Sequence, residues 1–391
     1  MSEKILLRNC KHYQFPEAET VDVLITDGKI AEIRKQITAD ENSVKVIDAR
    51  NLIVAPGFID IHIQGAGGYD VLDASENALQ TISRTLAQFG TTGFLATTVF
   101  HTDKTNRHLE ITAQMATKKV DGAEILGIHL EGPFINARKK GGISETCITV
   151  PDIHKMENIF TACQKKLTMM TLAPELKGID SIIDFLQRRD VIASFGHSAA
   201  DYQVTKKSFQ TITHVTHLYN AMNPMHHREP GPIPAIFETE HVSAQLIADG
   251  VHVHEAIVNL TYREMGVSRI ICITDGVQAI GLPEGMYHYN GKKYLSKDGA
   301  ARYLDGTLIG TAISLNQIVR RFQRFTNCTL EEAIQTATAN PAKLLGIENH
   351  KGSLKIGFDA DIILMDENFE VYLTIIDGKI IFRKSSFGQD I

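Results

Sequence analysis

Four short apolar runs in this chain of 391 residues each end on a side chain able to bind a metal or carry a proton. GIHLEG carries Glu131, ASFGHS carries His197, ITHVTHLYN carries His217 and ICITDG carries Asp275. Buried parallel strands read as such runs, and α/β proteins place their chemistry at the carboxyl ends of those strands. Two imidazoles and a carboxylate converging there can hold a divalent cation, and that donor set suits zinc or iron better than magnesium. A further aspartate is then available to accept a proton from water and return it to a leaving group.

Taken singly, each residue has a duller explanation. Glu131 precedes Gly132-Pro133 and can cap a loop, as can Asp275, and a lone histidine at a strand end is more often a hydrogen-bonded core residue. His214 and His217 lie three apart, so an extended strand puts them on opposite faces and only one can face the interior. The case for a metal rests on the combination, with ligand types on the third, fifth and sixth strands. Asn220, Arg228 and His252 follow strand ends and form a candidate outer ring. Arg228 with His252 can bind a phosphate or carboxylate.

The elements that must position these groups are legible as alternation. Eight apolar β-like runs cover Gly57–Gly65, Thr92–Val99, Glu124–Gly132, Thr168–Glu175, Val191–His197, Thr211–Asn220, Ser243–Gly250 and Arg269–Gly276. Helical spacing fills many of the gaps: Leu79, Ile82, Leu86 and Phe89 form one stripe, with Asp73 and Glu76 at capping-box spacing before it and Gly90 stopping it. Thr329 and Glu332 announce a later helix in the same way. Eight strands with crossovers fit an α/β fold of the (β/α)8 TIM-like barrel type better than a doubly wound sheet, because no glycine-rich phosphate fingerprint follows the first strand. The two ends read differently. VDVLITDGKIAEI (21–33) and LTIIDGKIIFR (373–383) are each two β-rich runs joined by Asp-Gly, a hairpin signal, and SLKIGFDADIILMD (353–366) reads as another pair of strands. The expectation is a small β-sandwich built from residues 1–55 and 346–391, around a barrel of residues 56–345.

Composition narrows the class. With 43% hydrophobic residues the chain can bury a large core, and a net charge of −6 without a basic run argues against nucleic-acid binding. No apolar stretch reaches the roughly 20 residues that span a bilayer, and no secretory h-region opens the chain, so a cytoplasmic protein without membrane association is expected. Cys10, Cys147, Cys163, Cys272 and Cys328 are scattered and never in a CxxC pattern, which reads as reduced filler, with Cys272 buried inside an apolar strand.

The ordered motifs PGFIDIHIQG, GIHLEGPF, GHSAADY, THLYNAM, HREPG, IADGVHVH, ITDGVQAIG, NPAKLLGI and KGSLKIGFDADIILMD resemble the N-acetylglucosamine-6-phosphate deacetylases of the amidohydrolase superfamily. The resemblance implies a metal site of Glu131, His197 and His217, one zinc or iron per subunit, and Asp275 as catalytic proton acceptor and donor. It implies contacts to a phosphorylated N-acetyl amino sugar from Gly142, Ile143, Asn220, Ala221, Arg228, His252, Leu308, Ile309 and Gly310. It also implies a homodimer in which Arg228 reaches the neighbouring subunit's phosphate, and hydrolysis of the acetamide to acetate and free amine. Two positions depart from the pattern. Two-metal members carry His-x-His on the first strand, whereas this chain has His62 and Gln64, a candidate second site. A substrate-contacting histidine of the family aligns with Ile143. Rival readings are the N-acetylgalactosamine 6-phosphate deacetylase, another N-acyl amidohydrolase, and a barrel that binds without catalysis. TMMTLAPE offers no strand-four lysine for carboxylation, which counts against many other amidohydrolases.

Overall fold

A computed structural model describes residues 4–17, 20–40, 43–289 and 291–387. Its centre is a ring of parallel strands: β1 (Phe58–Ile63), β2 (Thr91–Thr98), β3 (Glu124–Glu131), β4 (Leu167–Leu172), β5 (Ile192–Phe195), β6 (His214–Val215), β7 (Ser243–Leu246) and β8 (Ile270–Cys272). Neighbours pair in chain order from β1 to β8. The ring is drawn together at its rim, where the Asp275 amide donates to the His62 carbonyl at 2.9 Å and Gly276 bridges to Ile63. All eight apolar runs thus become strands of a TIM-like barrel. Most are shorter than the runs themselves: β6 covers two residues of 211–220, because the chain leaves the ladder before it reaches the site.

The interior beneath the mouth is polar, where such barrels usually stack aliphatic side chains. His129 Nε2 lies 2.8 Å from Thr171 Oγ1, which lies 2.8 Å from Thr216 Oγ1, itself 2.6 Å from Ser194 Oγ. Thr274 Oγ1 donates to the buried Asp60 at 2.6 Å. Buried polar groups cost free energy unless paired, so this bonded layer stiffens the platform on which the site stands.

Two local expectations change. The helix Glu76–Gln88 buries Leu79, Ile82 and Leu86 as its spacing demands, but its N-cap is Ser75, whose hydroxyl accepts from Ala78 N. Asp73 forms a reciprocal box with Asp70 around a 3-10 turn instead, because left-handed Ala74 separates it from the helix. The Thr329–Glu332 box forms as read. Of the stretch 353–366 only Ile362–Met365 is a strand; Gly352 and Gly357, at φ 82° and 89°, break the rest into turns.

Strands from both ends pair in one hydrogen-bonded network. Ile53–Pro56 runs parallel to Ile5–His12 on one side and antiparallel to Ile362–Met365 on the other. Both hairpins form, and Asp27, Gly28, Asp377 and Gly378 all take the positive φ that a tight turn needs. The two tips abut: a Cβ on Gly28 would sit 2.8 Å from Asp377 Oδ1 and 3.2 Å from the Asp377 carbonyl oxygen, which, with the positive φ, favours glycine there. Residues 1–3, 18–19, 41–42 and 388–391 of the expected module lie outside the described residues. An antiparallel sheet that the sequence reading missed, Gly285–Tyr289, Lys292–Lys297, Ala300–Tyr303 and Leu308–Thr311, is inserted after β8 and joins the barrel through Gly276 and Thr311. All five cysteines are buried, Cys272 within β8. No helix among the described residues is long and apolar enough to cross a membrane.

Lys351 ties the carboxyl-terminal segment to the barrel. Its Nζ lies 2.6 Å from Asp361, 3.0 Å from Glu124 at the start of β3 and 3.3 Å from Asp359, and its side chain is 11% exposed. Burial raises the Asp361 carboxyl, and Lys351 opposes that rise. Removing one partner of a buried pair strands the other charge, typically at about 3–5 kcal/mol. Lys351→Met is therefore expected to lower urea-unfolding stability by about that amount. Arg84→Ala, which breaks only the exposed pair with Asp121, is expected to stay within about 0.5 kcal/mol.

Candidate metal centre

Glu131 ends β3, while His197, His217 and Asp275 follow β5, β6 and β8 by two or three residues. The last three sit at φ 47°, 28° and 47°, a left-handed region sparsely used by residues other than glycine. Such strain concentrates at functional sites because the surrounding structure must hold it in place. Here it ends the strand alternation and lets each side chain turn over the mouth. His214 and His217, between which the sequence did not choose, take different partners. Both are buried: His214 Nδ1 is bonded to Ser243 Oγ at 2.8 Å, while His217 turns to Glu131.

Three atoms meet. His197 Nε2 lies 2.9 Å from Glu131 Oε1, His217 Nε2 lies 3.0 Å from the same oxygen, and the two nitrogens are 3.0 Å apart. His197 Nδ1 is 2.7 Å from the Lys139 carbonyl, which can only accept, so Nδ1 bears a proton and Nε2 is the nitrogen turned inward. A carboxylate oxygen and two imidazole lone pairs turned on one another repel unless a cation lies among them. The donor set therefore fits a divalent metal, and this is the group of potential ligands found among the described residues.

The charges agree with that reading. Burial alone would raise Glu131, but His62 and His197 beside it hold the carboxyl well below the usual range. Burial lowers His217, keeping it in the lone-pair form a metal needs. Burial would also lower His62, yet the Asp275 and Glu131 carboxylates outweigh it and lift the ring to about 9. His62 Nε2 stands 3.3 Å from Asp275 Oδ1 and 3.8 Å from Glu131 Oε1, and Gln64 Nε2 donates to Asp275 Oδ1 at 3.1 Å.

A cavity of about 230 Å3 opens above these groups. Every residue singled out in the sequence lines it except His62, buried beneath, and Arg228; Gly141 and Tyr289 are added. Arg228 is exposed on the HREPG loop with Nη1 2.8 Å from His227, outside the cavity of its own chain. His252 is oriented by Asp249, whose Oδ2 accepts from Nδ1 at 2.6 Å and whose Oδ1 accepts from the amides of Val251 and His252. Asn220 directs its amide nitrogen to the carbonyls of His217 and Leu218. Ile143 packs with Val99, Ile135 and Cys147 and forms an apolar wall, with its own amide spent on the Lys140 carbonyl. Gly310, at φ 138°, passes so close to the Asp275 carbonyl that a Cβ would lie 2.4 Å from it.

The Amidohydrolase family pattern matches residues 53–381. The N-acetylglucosamine-6-phosphate deacetylase of Bacillus subtilis is 36% identical over 375 residues, covering 93% of each chain. The chain belongs to the N-acetylglucosamine-6-phosphate deacetylase family of amidohydrolases. Among solved structures, the Pasteurella multocida deacetylase matches with a TM-score of 0.88 at 26% identity, over 96% of this chain and 99% of that one. A Mycobacterium smegmatis deacetylase in complex with N-acetyl-D-glucosamine-6-phosphate matches with a TM-score of 0.87 at 26% identity, over 97% and 100%.

Three supports for this family site escaped the sequence reading: Gln245, Asp249 and the Lys139 carbonyl. Gln245 Oε1 accepts from His62 Nδ1 at 2.9 Å and from the His217 amide at 3.3 Å. One signal was available, since an amide inside the otherwise apolar run of β7 must find partners when buried. Nothing in the sequence marks a backbone carbonyl.

A neutral amide is a poor zinc ligand, and Gln64 is held on Asp275, so one tightly bound ion per chain is expected. Elemental analysis of the purified protein checks this. The His197→Ala, His217→Ala double variant is expected to retain none.

Proposed function

We propose that the chain hydrolyses the acetamide of N-acetylglucosamine 6-phosphate, releasing acetate and glucosamine 6-phosphate. The observation that carries this reading is the meeting of Glu131 Oε1 with the two Nε2 atoms at 2.9–3.0 Å, with Asp275 in the same cavity wall. A divalent cation, zinc or iron, held by Glu131, His197 and His217 would polarise the acetamide carbonyl and bring the pKa of water down to roughly 7. Asp275 takes the water's proton and returns it to the departing nitrogen, so that the C–N bond breaks with a neutral amine as leaving group. Gln64 and His62 orient the Asp275 carboxylate for both transfers. His252, fixed by Asp249, and Asn220 with Ala221 bind the sugar phosphate, while Gly142, Ile143 and the strand Leu308–Gly310 close the pocket around the acyl group and ring.

The same reading extends to assembly. Residues 56–345 form the catalytic barrel, and residues 1–55 and 346–391 form the accessory β-sandwich, supported by the pairing of strands from both ends. The protein acts as a homodimer in which Arg228 serves the partner's phosphate. Its exposure, and that of nearby Met225 at 57%, supports this arrangement. A phosphorylated substrate, too polar to enter a bilayer, supports a cytoplasmic location.

A panel of N-acyl sugar phosphates assayed for amine release with added metals tests the proposal; absence of turnover on N-acetylglucosamine 6-phosphate with every metal would refute it. Asp275→Asn preserves shape but removes the proton acceptor, so kcat is expected to fall by about 10²–10⁴-fold at unchanged metal content. Arg228→Ala is expected to lower kcat/KM for the phosphorylated sugar and leave the unphosphorylated one unaffected, because the charge-assisted contact exists only with phosphate. Equal losses on both would make the arginine structural.

A further inference from the structure

Two isoleucines, each 7% exposed, bring apolar surface into the cavity that holds His197 and Asp275. Ile143 arrives on the loop after β3, which is strapped to His197. The Asn136 amide donates to the His197 carbonyl at 2.9 Å, His197 Nδ1 donates to the Lys139 carbonyl, and a Cβ on Gly141 would stand 3.6 Å from His197 Cε1. Glycines at 141 and 142 leave that passage bare, so Ile143 is the first bulky side chain the loop offers to the cavity. Ile309 arrives from the inserted sheet, one residue before Gly310, whose backbone lies against the Asp275 carbonyl. The two carriers touch: a Cβ on Gly142 would lie 2.7 Å from Ile309 Cγ2.

Neither side chain has room to retreat. Ile143 is backed by Val99, Ile135 and Cys147, each at 2% exposure or less, and Ile309 by Val277, Ala279 and Tyr294, all fully buried. Interiors packed in this way do not take in an extra methylene without strain. A larger cavity, of about 510 Å3, shares only Tyr289 with the catalytic one, and neither isoleucine lines it.

The chemistry of the wall decides what meets it. A sugar hydroxyl laid on Ile143 would lose water and gain no partner, since the Ile143 amide is already given to the Lys140 carbonyl. The acyl chain is the one part of an N-acylated sugar phosphate that gains by apolar contact. We infer that Ile143 and Ile309 form a fixed stop for the acyl chain, which admits an acetyl group and rejects longer ones. This inference rests on the amide hydrolysis proposed above and names which amides that reaction takes.

The test measures amine release from N-acetyl-, N-propionyl- and N-butyrylglucosamine 6-phosphate by the metal-loaded wild type, Ile143→Ala and Ile143→Val. For each protein, kcat/KM on the longer substrates is divided by kcat/KM on the acetyl one, using a single preparation. That ratio cancels any loss of active protein, so a variant that folds or loads metal incompletely still reports. The wild type is expected to take the propionyl substrate at least about tenfold less well than the acetyl one, and the butyryl substrate less well again, because one methylene against an apolar wall is worth about 10–200-fold. Ile143→Ala is expected to raise the propionyl-to-acetyl ratio by at least about tenfold, and Ile143→Val by a smaller factor in the same direction. Wild type that cleaves the propionyl substrate as readily as the acetyl one, or an unchanged ratio in both variants while the acetyl substrate is turned over, would overturn the stop and leave the reaction standing. No turnover of any of the three by the wild type would refute the reaction, and the stop with it.

Discussion

The whole molecule is organised around one electrostatic demand: a carboxylate oxygen and two imidazole lone pairs held within 3.0 Å of one another in a buried place. Left to themselves such groups separate or take up protons. They stay together because the backbone carries His197, His217 and Asp275 in left-handed conformations, and because the Lys139 carbonyl fixes which nitrogen of the His197 ring faces inward. The cost of that arrangement is spread over the barrel. Its continuous parallel ladder and bonded polar layer prevent the mouth from relaxing.

That polar layer also explains why the interior does not follow the aliphatic pattern common in such barrels. His129, Thr171, Thr216 and Ser194 form a chain of hydrogen bonds below the mouth. Apolar residues there would leave the carboxylates above facing a low-dielectric floor, where uncompensated charge is most expensive. Gln245 ties two parts of the mouth together, since a single amide oxygen receives both the His62 ring and the His217 backbone.

The inserted antiparallel sheet gives the site its second wall. Its last strand attaches to Gly276 beside Asp275, so that carboxylate is held between the barrel and the insertion. Tyr289, from the first strand of the same insertion, separates the catalytic cavity from its larger neighbour. Any movement of this sheet reaches both cavities.

The sequence by itself determined the barrel, the hairpins and the ligand types. Apolar runs, Asp-Gly turns and the alternation of elements follow from local periodicity and backbone preference, which neighbouring residues alone encode. The identities of Glu131, His197, His217 and Asp275 were legible for the same reason, each standing at the end of an apolar run. Tertiary structure alone decided the rest. Strand parity could not choose between His214 and His217; the folded chain sends His217 to Glu131 and His214 to Ser243. The capping role passed from Asp73 to Ser75 because Ala74 turns the chain between them. The inserted sheet was missed, and Arg228, expected at the substrate, stands outside its own cavity. Lys139, Gln245 and Asp249 matter only through contacts that bring distant segments within hydrogen-bond reach, and such contacts depend on how the whole ring closes.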